Sequence, residues 1–366
     1  MNRYLLSKRL NSHKGQVHGF TLIEFLVASA LAVIVIMAAT GTYFITRKLN
    51  DSAEQRVDFQ RNLRNASSML TRDARGAGAF GCFSTTVASS ERFPLAEVGV
   101  NGPFRSGGSG FYSSILDDGE NGGYGVRIIP QNQSANALAA FGANNITINS
   151  PILLFTYGKG YASVSGINAL NALQLDRSYA SDADISQVIT NKGQLVLSSC
   201  QNAVVVKAAG VNGDIVNLSN NVDIPEIDSS NLNAATNLSV SRLYTSAYFV
   251  GTVNGQSSLL RYELGADGTW QGPQLLSEGV SQMTVNFGYL KNCVAASSPA
   301  AASNIFTLQH SYDFSDNLSQ KTLPAIIRIS LTYNNDLSGK KVQTQVENFI
   351  INATVRSGNS CINSLI

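Results

Sequence analysis

Histidine is almost missing from this chain of 366 residues: there are three, and two of them, His13 and His18, lie ahead of its single long apolar run. A Ser-His-Asp triad would therefore rest on His310 alone, and no Gly-x-Ser-x-Gly turn accompanies it. Charge is scarce as well. Only 14% of residues are Asp, Glu, Lys or Arg, and the formal net charge is +2, so the chain carries no electrostatic footprint for nucleic acid. Even that small excess is local. Arg3, Lys8, Arg9 and Lys14 precede Gly19 with no acid among them, so a chain beginning at Phe20 holds two more acidic than basic residues. The four cysteines, Cys82, Cys200, Cys293 and Cys361, are too far apart for a Cys-x-x-Cys metal or redox motif. The acidic Asp117-Asp118-Gly119-Glu120-Asn121 lacks the spacing of an EF-hand loop and reads as a solvated turn. The lone Trp270, between two strand candidates, reads as a hairpin aromatic. These shortages argue against catalysis, a metal site and a cofactor alike. Proline is the most telling absence, because none occurs before Pro94, so no proline breaks a helix over that stretch.

The stretch is filled by the run FTLIEFLVASALAVIVIMAATGTYFI from Phe20 to Ile45, whose only charge is Glu24. As a helix it spans a hydrocarbon core of about 30 Å. The basic residues before it place its start on the cytoplasmic side, although Arg47 and Lys48 soften the asymmetry. A secretory signal has a shorter apolar region, no carboxylate and a small-residue cleavage site. Here an ionisable group stands near the start of the run, where it is costly and therefore functional by default. Helix formers continue beyond the apolar run. Phe59, Leu63, Ala66 and Leu70 recur at helical spacing with Arg61, Asn65, Ser68 and Arg72 opposite, so one stripe packs on a globular head. Gly76, Gly78 and Gly81 end the pattern, giving a helix roughly 80 Å long. Arg47, Lys48, Arg56, Arg61, Arg64, Arg72 and Arg75 make it basic. Asp51, Glu54, Asp58 and Asp73 interleave with them, which suits pairing between helices better than binding of DNA.

The string Gly19-Phe20-Thr21-Leu22-Ile23-Glu24 resembles the processing site of type IV prepilins and type II secretion pseudopilins. Phe25 stands where that family more often has Leu, and His18 precedes the glycine. The resemblance implies cleavage after Gly19 by a prepilin peptidase, methylation of the new Phe20 amine, and pairing of Glu24 with the N-terminal amine of a neighbouring subunit. Arg72 to Cys82, RDARGAGAFGC, resembles the end of the long helix in PilW-type minor pilins. The strand VSQMTVNFGY, the succession from Pro324 to Leu331 and the last strand through Asn352-Ala-Thr-Val-Arg also fit that family and the related J-type pseudopilins.

Beyond Cys82 the pattern turns to short β-type runs: Ile152 to Tyr157, Gln194 to Ser198, Ala203 to Ala208, Leu243 to Val250, Ser258 to Leu264, Gln282 to Leu290, Ala325 to Tyr333 and Asn348 to Val355. Ile327, Ile329 and Leu331 alternate with Arg328 and Ser330, which assigns them to opposite faces. Ser106 to Gly125, Asn212 to Asn237 and Val294 to Asn304 are polar enough to be surface loops. The expected class is α+β: a type IV pilin-like long helix, part transmembrane and part amphipathic, packed on an antiparallel sheet with elaborated loops. Its divisions are a leader at 1–19, a membrane half at 20–46, an amphipathic half at 47–81 and a β-rich head at 82–366. An even number of cysteines, all past the apolar run, suits an oxidising compartment. They allow three connectivities, and pairing Cys82 with Cys200 and Cys293 with Cys361 keeps each bridge within one half of the head.

On this reading the chain is a structural subunit that helps initiate or cap a type IV pilus. It is anchored in a bacterial inner membrane with its head in the periplasm, and later sits at the filament tip. The partners implied are the prepilin peptidase, the other minor pilins and the major pilin, the inner-membrane assembly platform and a tip adhesin. Two alternatives stay open: a type II secretion pseudopilin, and a head that acts as an adhesive or DNA-uptake module.

Overall fold

An apolar segment without proline satisfies its own backbone groups only as an unbroken helix. In the computed structural model this helix, α1, is Leu22–Gly76, 55 residues long. The structure describes residues 19–84, 125–143, 145–199, 203–219, 221–222, 237–290, 312–318, 323–334 and 346–355. The leader, the acidic segment at Asp117 to Asn121, His310, Cys200, Cys293 and Cys361 lie outside them, as do 106–124 and 294–304 from two of the expected loops.

The chain divides into two compact units, Met1–Arg56 and Val57–Ile366. In the first, every described residue from Gly19 to Asp51 is exposed, including the large apolar side chains of the helix. Among the described residues α1 alone is long and apolar enough to cross a membrane.

The second unit is mostly antiparallel β. Its strands are β1 (Ala79–Phe80), β2 (Phe83–Ser84), β3 (Val126–Ile129), β4 (Thr147–Ile148), β5 (Ile152–Ala169), β6 (Ala172–Leu175), β7 (Gln194–Ser198) and β8 (Ala203–Asn212). They continue as β9 (Ile215–Leu218), β10 (Ser239–Val253), β11 (Gln256–Leu264), β12 (Trp270–Glu278), β13 (Val280–Leu290), β14 (Tyr312–Ser315), β15 (Ile326–Asn334) and β16 (Val346–Thr354). Two short helices, α2 (Ala135–Ala140) and α3 (Ala183–Thr190), complete the set of α-helices among the described residues. The α+β class is therefore observed. All eight expected strands are present, most of them longer than their sequence pattern.

A ten-stranded sheet runs β12-β11-β10-β7-β8-β9-β6-β5-β3 with β4 on β10, and β14-β13-β15-β16 form a second sheet. Because β10 also pairs with β5, the strands β10-β7-β8-β9-β6-β5 close into a ring. Leu173, Leu195, Leu197, Val216 and Leu218 are buried in one core there with Ile185 and Val188 of α3. Asp182 caps α3 by accepting from the Asp184 and Ile185 amides.

The ring corrects one expectation. Asn212 to Asn237 is not simply a surface loop, since it contains β9, paired with β6 and β8, with Val216, Leu218 and Val222 buried. The polar residues around those three mask a two-residue alternation too short to stand out.

A separate core joins α1 to the four-stranded sheet. Leu63, Ala66, Leu70 and Ala74 meet Phe287, Ile327, Ile329, Leu331, Ile351 and Ala353, all essentially inaccessible to solvent. The expected stripe is the buried one, and Arg61, Asn65, Ser68 and Arg72 are exposed. Trp270 opens β12 across the hairpin from Leu264 and packs edge-on against Phe141, with ring centroids 4.6 Å apart.

Candidate functional site

Two places combine polar chemistry with positions that the sequence singles out: the start of α1 and the point where α1 meets the sheets. At the start, Gly19 and Phe20 precede the helix and are exposed. Thr21 caps it. The Thr21 amide and hydroxyl both donate to Glu24 Oε2 at 3.0 Å, and the Glu24 amide donates back to Thr21 Oγ1 at 3.3 Å. This reciprocal pair satisfies two of the amide groups that a helix leaves open at its N-terminus. Gly19 has no comparable structural duty. A Cβ built there meets nothing within 4 Å, and its backbone is not in the left-handed region.

At the other end lies a carboxylate that sequence reasoning misplaces. Asp73 does not interleave with the exposed arginines of α1; it is completely buried. The stripe Phe59, Leu63, Ala66, Leu70 continues by three to Asp73 and by four to Ala74, so the helical period itself puts Asp73 on the inner face. That period, carried one step further, was the available signal.

The sheets meet Asp73 with hydroxyls. Tyr157 on β5 donates to Asp73 Oδ1 at 3.0 Å and Tyr248 on β10 to Oδ2 at 2.6 Å. Arg72 Nε lies 3.3 Å from Oδ1, and the buried Arg261 guanidinium on β11 lies 3.6 Å from Oδ2. Arg261 also donates to the Tyr248 hydroxyl at 3.0 Å, to Gln274 at 2.9 Å and to the Tyr244 hydroxyl, and it pairs with Glu263 at 2.9 Å. Burial, then the nearby Asp73 charge, pushes the hydroxyls of Tyr157, Tyr244 and Tyr248 well above the ordinary tyrosine range. They stay protonated and remain donors. Burial opposes the charge on Arg261, but Tyr248, Tyr244, Asp73 and Glu263 together hold its pKa above the usual value. The network joins α1 to β5, β10 and β11 through charge-assisted hydrogen bonds. It attaches the helix to the sheets.

Glycines let the backbone reach it. A Cβ at Gly76 would press on the Tyr157 ring at 3.0 Å, and one at Gly125 would collide with the backbone of Gly78. The Gly78 amide donates to Thr156 O at 3.0 Å, which hands the chain from helix to sheet.

The next turn carries Cys82. Gly81, in the left-handed region, lies against the hydroxyls of Ser198 and Ser239. Cys82 is exposed and disulfide-bonded. Ser198 is two residues from Cys200 in sequence, at most about 7.6 Å between Cα atoms, so non-reducing peptide mapping is expected to return a Cys82–Cys200 peptide. A Cys82–Cys361 peptide would refute that pairing.

Among the described residues no three His, Cys, Asp or Glu side chains converge on a metal position. Together the features define an α+β protein with one helix of membrane-spanning length, pinned at its far end to an antiparallel β unit. The chain matches no known protein-family profile, no curated protein and no solved structure.

Proposed function

We propose that this chain is a minor pilin-like structural subunit of the PilW type, cut after Gly19 by a prepilin peptidase and packed by α1 into a type IV pilus that it helps initiate or cap. The observation that carries the reading is the glycine itself. Gly19 stands between a basic leader and Phe-Thr-Leu-Ile-Glu, and the fold has no use for a residue without a side chain there. A glycine placed there suits recognition by an outside agent, and a peptidase is such an agent. The exposed apolar half of α1 and the sheet-covered stripe from Phe59 to Ala74 suit a subunit held first by lipid and then by neighbouring helices. The head resides in the periplasm before it reaches the filament tip.

Glu24 fits the same account. A lone carboxylate in hydrocarbon is costly, and a neighbour's N-terminal amine within a few ångströms offsets much of that cost. Docked subunits are thereby favoured over solitary ones. Glu24→Ala is expected to leave membrane level and cleavage unchanged while incorporation into sheared filaments falls roughly tenfold, equivalent to about 1.4 kcal/mol. Unchanged incorporation refutes the pairing role.

A tip position has a steric basis, since a head of this size has a radius of gyration of roughly 19 Å and would crowd its neighbours on every turn of a shaft. Quantitative mass spectrometry of filaments should find trace amounts, with few or no pili when the gene is deleted. Parity with the shaft protein excludes the tip assignment.

A further inference from the structure

The charges of α1 have no account within the helix itself. Asp51 with Glu54, Glu54 with Asp58, and Arg61 with Arg64 stand three or four residues apart with like charge, an arrangement that destabilises a helix on its own. Arg61 makes one ion pair, to Asp58 at 3.5 Å, and both side chains are largely exposed, so it contributes little. Lys48, Asp51, Glu54 and Arg64 are exposed and have no ion-pair partner among the described residues. Two rows at a spacing of three emerge. Lys48, Asp51 and Glu54, in the first unit, read plus, minus, minus; Asp58, Arg61 and Arg64, in the second, read minus, plus, plus. Each position of the second row follows its opposite in the first by ten residues. Rows of this spacing are ridges of a helix surface, the features by which one helix packs against another.

We propose that α1 carries both halves of a contact between copies of this chain: the row Lys48-Asp51-Glu54 of one copy lies along the row Asp58-Arg61-Arg64 of a parallel second copy displaced by ten residues. In that register Lys48 faces Asp58, Asp51 faces Arg61 and Glu54 faces Arg64, three pairs of opposite charge. The charges select this arrangement over the others. An antiparallel neighbour sets Lys48 against Arg64 and Glu54 against Asp58, and an unstaggered parallel one sets every charge against its like. An arginine fork binds a carboxylate through two parallel hydrogen bonds, which gives Arg61 and Arg64 a directional preference as well as a Coulombic one. Each row lies within one compact unit, so the pairing draws only on the local helical period of each. The two rows differ and the copies are displaced along the helix, so the contact is heterologous and does not close; further copies add in the same direction until another subunit takes over. The inference goes beyond the pilin reading and does not depend on cleavage after Gly19. It agrees with trace amounts in filaments, because a tip can hold neighbouring copies.

The test places benzoylphenylalanine at the exposed Asn65, ten residues beyond Gln55, in the full-length chain in its own membrane, in cells that also express a second, differently tagged copy. Mass spectrometry of the photo-adduct is expected to show attachment to the second copy within one helical turn of Gln55. Asp51→Arg with Glu54→Arg, introduced in every copy, should cut that adduct roughly tenfold, as should Arg61→Glu with Arg64→Glu, since attractions become repulsions. All four changes in one chain recreate opposite pairs and should restore the adduct, which excludes misfolding as the cause of the losses. Added salt should weaken the native adduct, because exposed charges are screened beyond about 8 Å at physiological ionic strength. No adduct to the second copy, attachment near its own Asn65, attachment to a different protein or back to the same chain, or a fourfold variant as weak as the twofold ones overturns the proposal. Cleavage after Gly19 and filament incorporation are scored in the same cells. A processed, incorporated chain without the Gln55 adduct fails this inference alone, whereas an uncut chain with that adduct fails the pilin reading alone.

Discussion

A chain carrying Gly19→Leu is expected to accumulate uncut in the membrane while its folded part melts as the native protein does. The two halves of that outcome have separate causes. A Cβ built at Gly19 meets nothing within 4 Å among the described residues, so the fold is expected not to register the change. A peptidase that must grip the backbone beside the scissile bond does register it. Intact-mass measurement of the membrane fraction decides the matter: native protein should begin at Phe20 and the variant should retain residues 1–19. A native N-terminus elsewhere, for example after Ala30, would end the prepilin reading, as would a variant cut as efficiently as the native chain.

The second large effect concerns stability. Asp73→Ala removes the acceptor of two tyrosine hydroxyls and a carboxylate partner of the buried Arg261, to which the half-exposed Glu263 is left as the nearest counter-charge. Breaking a buried charged pair by deleting one member costs about 3–5 kcal/mol, and denaturant unfolding of the full chain in detergent should show a loss of that size. Asp73→Asn keeps the shape and one acceptor oxygen, so its loss should be smaller, about 1–3 kcal/mol. Tyr248→Phe combined with Asp73→Ala should cost less than the two changes separately, because both remove the same 2.6 Å hydrogen bond. A loss under about 0.5 kcal/mol, ordinary for a surface site, would show that the network does not hold the helix to the sheets.

Much of the architecture is legible in the order of the residues. The unbroken helix comes from missing proline and continuous apolar residues, and the strands at Gln194 to Ser198 and Ala325 to Tyr333 stand out as short apolar runs bounded by turn residues. These signals are local, carried by side chains within a few positions of one another. The strand Ile215–Leu218 is hidden because four residues between polar stretches give too short a period; β8 precedes it directly in a hairpin that the Asn212-Gly213 pair signals, while its other partner, the equally short β6, is distant in sequence. Asp73 was missed for a different reason. An aspartate beside two arginines reads as a surface charge, and its true surroundings come from β5, β10 and β11.

The sequence by itself thus determined a helix of membrane-spanning length, its buried stripe, the β-rich nature of the chain beyond Cys82 and the residues around Gly19, because each depends on the order of neighbouring side chains. Only the tertiary structure decided that six strands close into a ring and that Asp73 is an internal anchor. Those outcomes depend on which distant strands pair, and pairing is selected by the joint burial of side chains from many segments, a quantity that no single stretch of chain contains.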